Sequence, residues 1–193
     1  MSVIDPARTA AHPGVPALSG PTPFRLDELV ALTRAVAADV RAGRHPYRID
    51  PVNRWSRRIA ADGYVDVWLI TWTREQSTEL HDHAGSLGAL TVVAGTLTER
   101  HWVGGDGALR DQPHPEGGSV GFPVGHVHDV VNEGAAPAVS VHAYSPPLTA
   151  MSYYRIDGRG ALHRTRSILT DHPEPGAVGA PPTPAALRYG DLL

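Results

Sequence analysis

The sequence predicts a mainly β protein, a sandwich or barrel of short strands preceded by one α-helix. Short runs rich in β-branched and aromatic side chains recur from about Asn53 onward, and Gly and Pro, 20 and 18 in the chain, punctuate the gaps between them. A single segment near the N-terminus repeats apolar residues at helical spacing instead. With 193 residues, the chain fits one domain with a substantial core.

Taken in order, residues 1–23 hold five prolines and few large apolar side chains, and are expected to form an extended, weakly ordered arm. Over residues 26–40, Leu26, Leu29, Val30, Leu32, Thr33, Val36, Ala37 and Val40 recur at the spacing of one helix face. Asp27 and Glu28 suit the positive end of that helix, and Gly43 marks its stop. Strands are predicted at residues 64–73, 79–83, 87–93 and 96–103, with Gly95 joining the last two. The GGDG segment at 104–107 reads as a turn and residues 108–117 as a loop. Further strands are predicted at 119–122, 127–131, 138–144, 152–156 and 162–169. Trp68 and Trp72 alternate on a strand and are expected to serve in packing. From about Asp171 the chain is again rich in Pro and Gly, so residues 171–193 are expected to be a peripheral tail to a single domain at 24–170.

Composition excludes several functions. A net charge of −3, a pI near 6.4 and no basic cluster argue against a nucleic-acid surface. No cysteine is present, so neither a disulfide nor a thiolate-bound metal is available. The start, MSVIDPARTAAHPG, lacks the pattern of a secretory signal and no window has the apolar length of a membrane span. A soluble, cytoplasmic monomer is expected.

Chemistry begins at ELHDHAGSLGAL, residues 79–90. Side chains at i and i+2 of a strand share a face, so His81 and His83 can aim two imidazoles at one point while Asp82 turns away. Downstream, His126 and His128 have the same spacing, and strand periodicity does not choose between them. Gly88 and Gly95 follow the first pair, and GGSVGFPVGHVHDVVN places Gly117, Pro123, Gly125, His128 and Asn132 as G-x5-P-x-G-x2-H-x3-N. Together these resemble the two motifs of the cupin superfamily, an antiparallel jelly-roll β-barrel with its metal inside. The motif selects His128 as the third ligand, leaving His126 at a turn and partly exposed. Most cupins carry a glutamate where this chain has Gly88. A neutral three-histidine set leaves three octahedral positions open, which suits Fe(II) with O₂, by analogy with oxygenases that use two histidines and a carboxylate. Zinc-based hydration or hydrolysis is the alternative.

A third stretch, VSVHAYSPP at residues 139–147, sets Ser140, His142 and Tyr144 on one strand face. With LHDH and GHVHDVVN, it makes residues 53–157 resemble the cysteine dioxygenase family of thiol dioxygenases. That resemblance implies Fe(II) held by His81, His83 and His128, and a small thiol oxidised by O₂ to a sulfinate. It also implies a Tyr144 hydroxyl near the substrate carboxylate, oriented through Ser140 and His142. A carboxylate calls for a guanidinium; by resemblance Arg57 supplies it, with Arg58 its adjacent rival and Arg155 the counterpart of the arginine in enzymes that prefer 3-mercaptopropionate. The chain departs from the animal enzymes in two places. Gly88 stands where their crosslinked cysteine falls, as in bacterial members, and Trp55 replaces a tyrosine. L-cysteine is the expected substrate, 3-mercaptopropionate the alternative, and a non-catalytic cupin that senses or stores a ligand the alternative of another class. Glu79, Asp82, Asp129 and Glu133 are expected to face solvent or orient ligands. His101, His114, His163 and His172 have no partner at ligand spacing and receive no role.

Overall fold

The structure, a computed structural model, describes residues 23–104 and 109–173. The expected arm at 1–22, most of the turn at 104–107 and the tail from 174 lie outside the described residues. Helix α1 spans Leu26–Arg41, close to its predicted bounds, and Glu28 caps it by accepting the Arg25 amide at 2.7 Å. The strands are β1 (Ser56–Ala61), β2 (Asp66–Trp72), β3 (His81–Asp82), β4 (Leu87–Ala94), β5 (Thr96–Trp102), β6 (Leu109–Pro115), β7 (Ser119–Phe122), β8 (His128–Val131), β9 (Ala138–Ser145), β10 (Ala150–Ile156) and β11 (Leu162–Leu169). They pair antiparallel in two sheets, ordered β1-β2-β9-β4-β7 and β11-β10-β3-β8-β5-β6. The fold is therefore a single cupin barrel with an N-terminal helix. No helix of the described residues is long and apolar enough to cross a membrane.

The five-stranded sheet is the middle of three layers. On one face, Val67 and Leu69 of β2, Val139, Val141 and Ala143 of β9, and Ala89 and Val93 of β4 pack under Leu29, Ala37 and Val40 of α1. On the other, Trp68, Ile70, Trp72, Leu90 and Val92 meet Leu97, Val130, Met151 and Tyr153 from the second sheet. Covering both faces explains why every residue of β2 and of β9 is buried. Thr33 of the helix and Thr91 of β4, the polar pair inside the first interface, satisfy each other at 2.8 Å.

Three elements differ from the sequence expectation. Residues 108–117 were expected to loop, yet 109–115 form β6, which pairs only with β5 at the rim of its sheet. Its residues LRDQPHP show no apolar alternation because most face solvent, and an edge strand tolerates the two prolines that lack a donor. Strand β1 lies in a stretch for which no strand bounds were predicted. Strand β3 is cut to two residues because the chain turns immediately after His83, where Ala84 takes a positive φ of 50°. Between β4 and β5, Gly95 turns at φ 77°, and a Cβ there would lie 2.8 Å from the Pro137 carbonyl oxygen, so the tight reversal requires glycine.

Leu29 is fully buried between helix and sheet. Leu29→Ala is expected to cost about 2–5 kcal/mol in a denaturant titration; an unchanged midpoint would contradict the helix as an integral layer.

Candidate metal centre

His81 lies on β3, His83 just beyond it, and His128 opens β8 directly across the ladder from His81. The strands bring the three together: their ligand nitrogens all lie within 4.8 Å of one another, and the Nε2 atoms of His81 and His83 are 3.3 Å apart. His81 donates through Nδ1 to the Glu79 carbonyl at 2.7 Å, and His128 donates through Nδ1 to Glu99 Oε1 at 3.0 Å. Each bond leaves the proton on Nδ1 and the lone pair on Nε2. His128 Nε2 is buried without a hydrogen-bond partner. His81 and His128 thus aim Nε2 lone pairs at the point that His83 Nε2 also reaches, and the unpartnered Nε2 of His128 would be satisfied by a cation there, so the donor set fits a divalent metal. Burial lowers the pKa of all three, well below the ordinary histidine value for His81 and His83, with neighbouring imidazoles adding to it. For His128, burial outweighs the opposing pull of Glu99. All three are thus neutral near pH 7, the form that binds metal.

The three imidazoles form one wall of a cavity also lined by Arg54, Trp72, His142 and Tyr144. Its apolar parts come from Ile70 and Val130. Strand alternation on β9 turns Ser140, His142 and Tyr144 inward, opposite to Val139, Val141 and Ala143. Trp72 Nε1 donates to Ser140 Oγ at 2.9 Å, so the Ser140 hydroxyl proton goes to His142 Nε2, also at 2.9 Å. Burial first, then Arg54 and His128, depress the His142 pKa to about 3, which keeps it a neutral acceptor. The Tyr144 ring stands 4.8 Å from that of His83.

The arginines sort differently from their expected places. Arg57 pairs across the ladder with Leu69, whose side chain faces the helix, so Arg57 points away from the barrel interior and lies over Trp55 at 6.0 Å. Arg58, opposite Trp68, lies 4.6 Å from that indole and pairs with Asp171 at 2.8 Å. Arg155 is exposed on β10. None of the three lines the cavity; Arg54 does, with its guanidinium 4.6 Å over Trp72 and a bond to the Ser77 carbonyl at 3.3 Å. For Arg57 the sequence held a signal: Trp55, Arg57 and Ile59 alternate together, which assigns Arg57 to the face of its apolar neighbours.

Glu99, a residue that no motif marks, alternates inward with Leu97 on β5. It is 1 % exposed; Oε1 accepts from His126 Nε2 at 2.7 Å and from His128, and Oε2 accepts from His114 Nε2 at 3.0 Å. Burial pushes its pKa up, but the three imidazole hydrogen bonds together outweigh this and hold it far below the carboxylate range. His126 therefore reaches Glu99 and not the cavity, and His114, for which no partner was expected, is buried against the same carboxylate. The flanking acids are engaged elsewhere: Glu79 with Arg166, Asp82 with the Tyr154 hydroxyl, Asp129 with Arg100 and Glu133 with the Thr98 hydroxyl. His163 pairs with Asp157, and His101 stacks on His126. The tail expected to be peripheral begins against the barrel: Asp171 holds Arg58, His172 packs on Trp68 at 5.3 Å, and Pro173 completes the cavity wall.

Comparison with known proteins adds a family. The model of the cysteine dioxygenase type I family matches residues 23–157. No curated protein matches the chain. Similar solved structures include an uncharacterised protein with a double-stranded β-helix domain from Klebsiella pneumoniae, 16% identical over 67% of this chain and 88% of that one, with a TM-score of 0.49. Another is a sugar phosphate isomerase of the cupin superfamily from Silicibacter pomeroyi, 20% identical over 74% of this chain and 89% of that one, with a TM-score of 0.48.

Depressed imidazole pKa values imply a pH dependence. Unfolded histidines take up protons near about pH 6.5, whereas folded His81, His83, His128 and His142 resist until lower pH, His142 to about 3. The unfolded state then binds more protons, so stability is full above about pH 6.5 and is lost as pH falls below it. Asp66 and Asp129, raised by burial, act in the opposite sense. Thermal melts of metal-free protein are expected at lower temperature near about pH 5.5 than near about pH 7.5, and equal midpoints would refute neutral burial of these histidines.

Proposed function

The chain belongs to the cysteine dioxygenase type I family, and on that premise we propose that it is an iron(II)- and O₂-dependent thiol dioxygenase that converts L-cysteine to cysteine sulfinate. The observation that carries this is the convergence of three neutral imidazoles, one with an unpartnered buried Nε2, in a cavity that also holds an arginine and a tyrosine. Iron(II) bound by His81, His83 and His128 would supply open positions at which a thiolate and O₂ meet and exchange electrons. Both oxygen atoms of O₂ end on sulfur and the thiol proton is released with the sulfinate, so the reaction needs no further reductant.

The protein's own part is to bind and orient. Arg54 takes the substrate carboxylate through its planar fork, held in place by the face of Trp72 and the Ser77 carbonyl. In this reading Arg54 replaces Arg57, Arg58 and Arg155, because it is the arginine on the cavity wall. Tyr144 lines the same cavity, where its hydroxyl would meet the substrate, while Trp72, Ser140 and His142 form a hydrogen-bonded line along the wall. Ile70 and Val130 keep that space poor in water, which strengthens each polar contact within it. At position 88, a Cβ would lie 3.4 Å from the Tyr144 ring, so the place where related enzymes carry a crosslinking cysteine adjoins the same tyrosine here. A second reading, oxidation of 3-mercaptopropionate, draws support from the absence of any acidic side chain among the described cavity residues to favour an ammonium group.

Iron-loaded protein is expected to consume one O₂ per thiol in an oxygen-electrode trace, and full activity without metal would sink the proposal. The same trace separates a non-catalytic cupin, which binds thiol without consuming oxygen. Loss of a hydrogen-bonded carboxylate–arginine contact is worth roughly 1.5–3 kcal/mol. Arg54→Ala is thus expected to raise KM for cysteine by about 10- to 100-fold, with cysteamine, which lacks the carboxylate, little changed. Arg57→Ala is expected to leave both near wild type; the reverse pattern would return the carboxylate to Arg57.

A further inference from the structure

Resting on that reading, we propose that Glu99 supplies from behind His128 the negative charge that the three-histidine set lacks, and that it acts as a positioning residue that sets metal affinity. Position 88, where related barrels carry their carboxylate, is glycine and closely bordered by rings: a Cβ there would meet Phe122 Cδ2 at 3.0 Å and two carbons of the Tyr144 ring at 3.4 Å. Four acidic side chains are buried among the described residues, and three are engaged away from the cluster. Asp66 accepts from Trp68, Asp82 from Tyr154, and Asp129 pairs with Arg100. Glu99 alone touches a member of the cluster.

The partners of Glu99 decide what it can do. They are three imidazoles and no arginine or lysine, so no fixed cation neutralises the carboxylate. A buried anion is costly without an opposite charge. Glu99 holds a proton on Nδ1 of His128, which leaves Nε2, the orphaned buried atom, aimed at the cluster. A cation at Nε2 is then one imidazole width from the carboxylate, and the polarised ring transmits the attraction between them. His126 shares Oε1 with His128 and His114 binds Oε2, so both carboxylate oxygens are held and the bond to His128 is oriented. The barrel thus keeps a carboxylate in its metal centre but moves it behind the ligand, which leaves the open positions free for substrate.

Glu99→Gln tests this, because it is isosteric and its amide oxygen can still accept from His128 while the charge is gone. Titration with Co(II) in the absence of thiol and oxygen is expected to show affinity lower by about 10- to 100-fold than wild type. Equal Co(II) affinity in the two proteins overturns the inference. If the variant does not fold, imidazole ¹⁵N spectra of the wild-type chain decide: a proton on His128 Nδ1 with and without Zn(II) supports it, and a bare Nδ1 overturns it. The outcomes also separate the two proposals. A wild type that binds Co(II) through Glu99 yet consumes no oxygen with thiols overturns the activity alone, whereas one that binds no divalent ion overturns both.

Discussion

Strand β9 lies between β2 and β4 with both edges paired and both faces covered, and the chemistry of the molecule depends on which way its residues point. Period-two alternation leaves no freedom: Val139, Val141 and Ala143 must go under the helix, so Ser140, His142 and Tyr144 must go into the barrel. A register slip of one residue would bury two hydroxyls and an imidazole under α1 and turn the apolar set into the cavity. The helix is therefore part of the site although it contributes no residue to it, because the apolar layer it offers fixes the face of every functional group on β9.

Burial then sets the chemistry of what alternation has placed. Four imidazoles line one cavity, and desolvation keeps each of them neutral. Neutral rings are needed twice, as metal ligands and as the acceptor of the Ser140 hydroxyl. The same burial would be prohibitive for Glu99 if its oxygens were not filled by three N–H donors. One carboxylate thereby fixes the tautomer of His128 and gathers in His114 and His126, two histidines that never reach the cavity.

Much of this was legible in the sequence, for reasons tied to particular residues. The helix declares itself by the period of its apolar face, and the strand at 64–73 and β9 by the alternation of their residue types between two covered faces. His81, His83 and His128 could be chosen because glycines and a proline at fixed spacing mark the turns beside them. Strand β6 was not legible, since an exposed edge strand with two prolines has no apolar period to show. Glu99 was not, because its partners come from 15, 27 and 29 residues away and no local spacing links them. Arg54 was hidden for another reason: it precedes β1, where alternation no longer says which way a side chain turns, while the motif drew attention to the neighbouring arginines.

What places Arg54 instead is an indole. Three arginines, at 54, 57 and 58, enter or lie on β1, and each rests on a different tryptophan: Trp72, Trp55 and Trp68 respectively. The indole face attracts the cation and determines where it settles. Trp55 lies under the helix, so Arg57 stays outside the barrel. Trp68 takes Arg58, whose pairing with Asp171 leads on to Pro173 in the cavity wall. Trp72 lies within the cavity, and its two sides have separate duties: the ring face carries Arg54 while Nε1 donates to Ser140. A residue that the alternation marks only as packing thus joins the proposed carboxylate anchor to the line that runs through Ser140 to His142. Displacing that one indole would disturb both the grip on the substrate and the orientation of the groups beside it, so the spacing between the two functions is set by the dimensions of a single side chain.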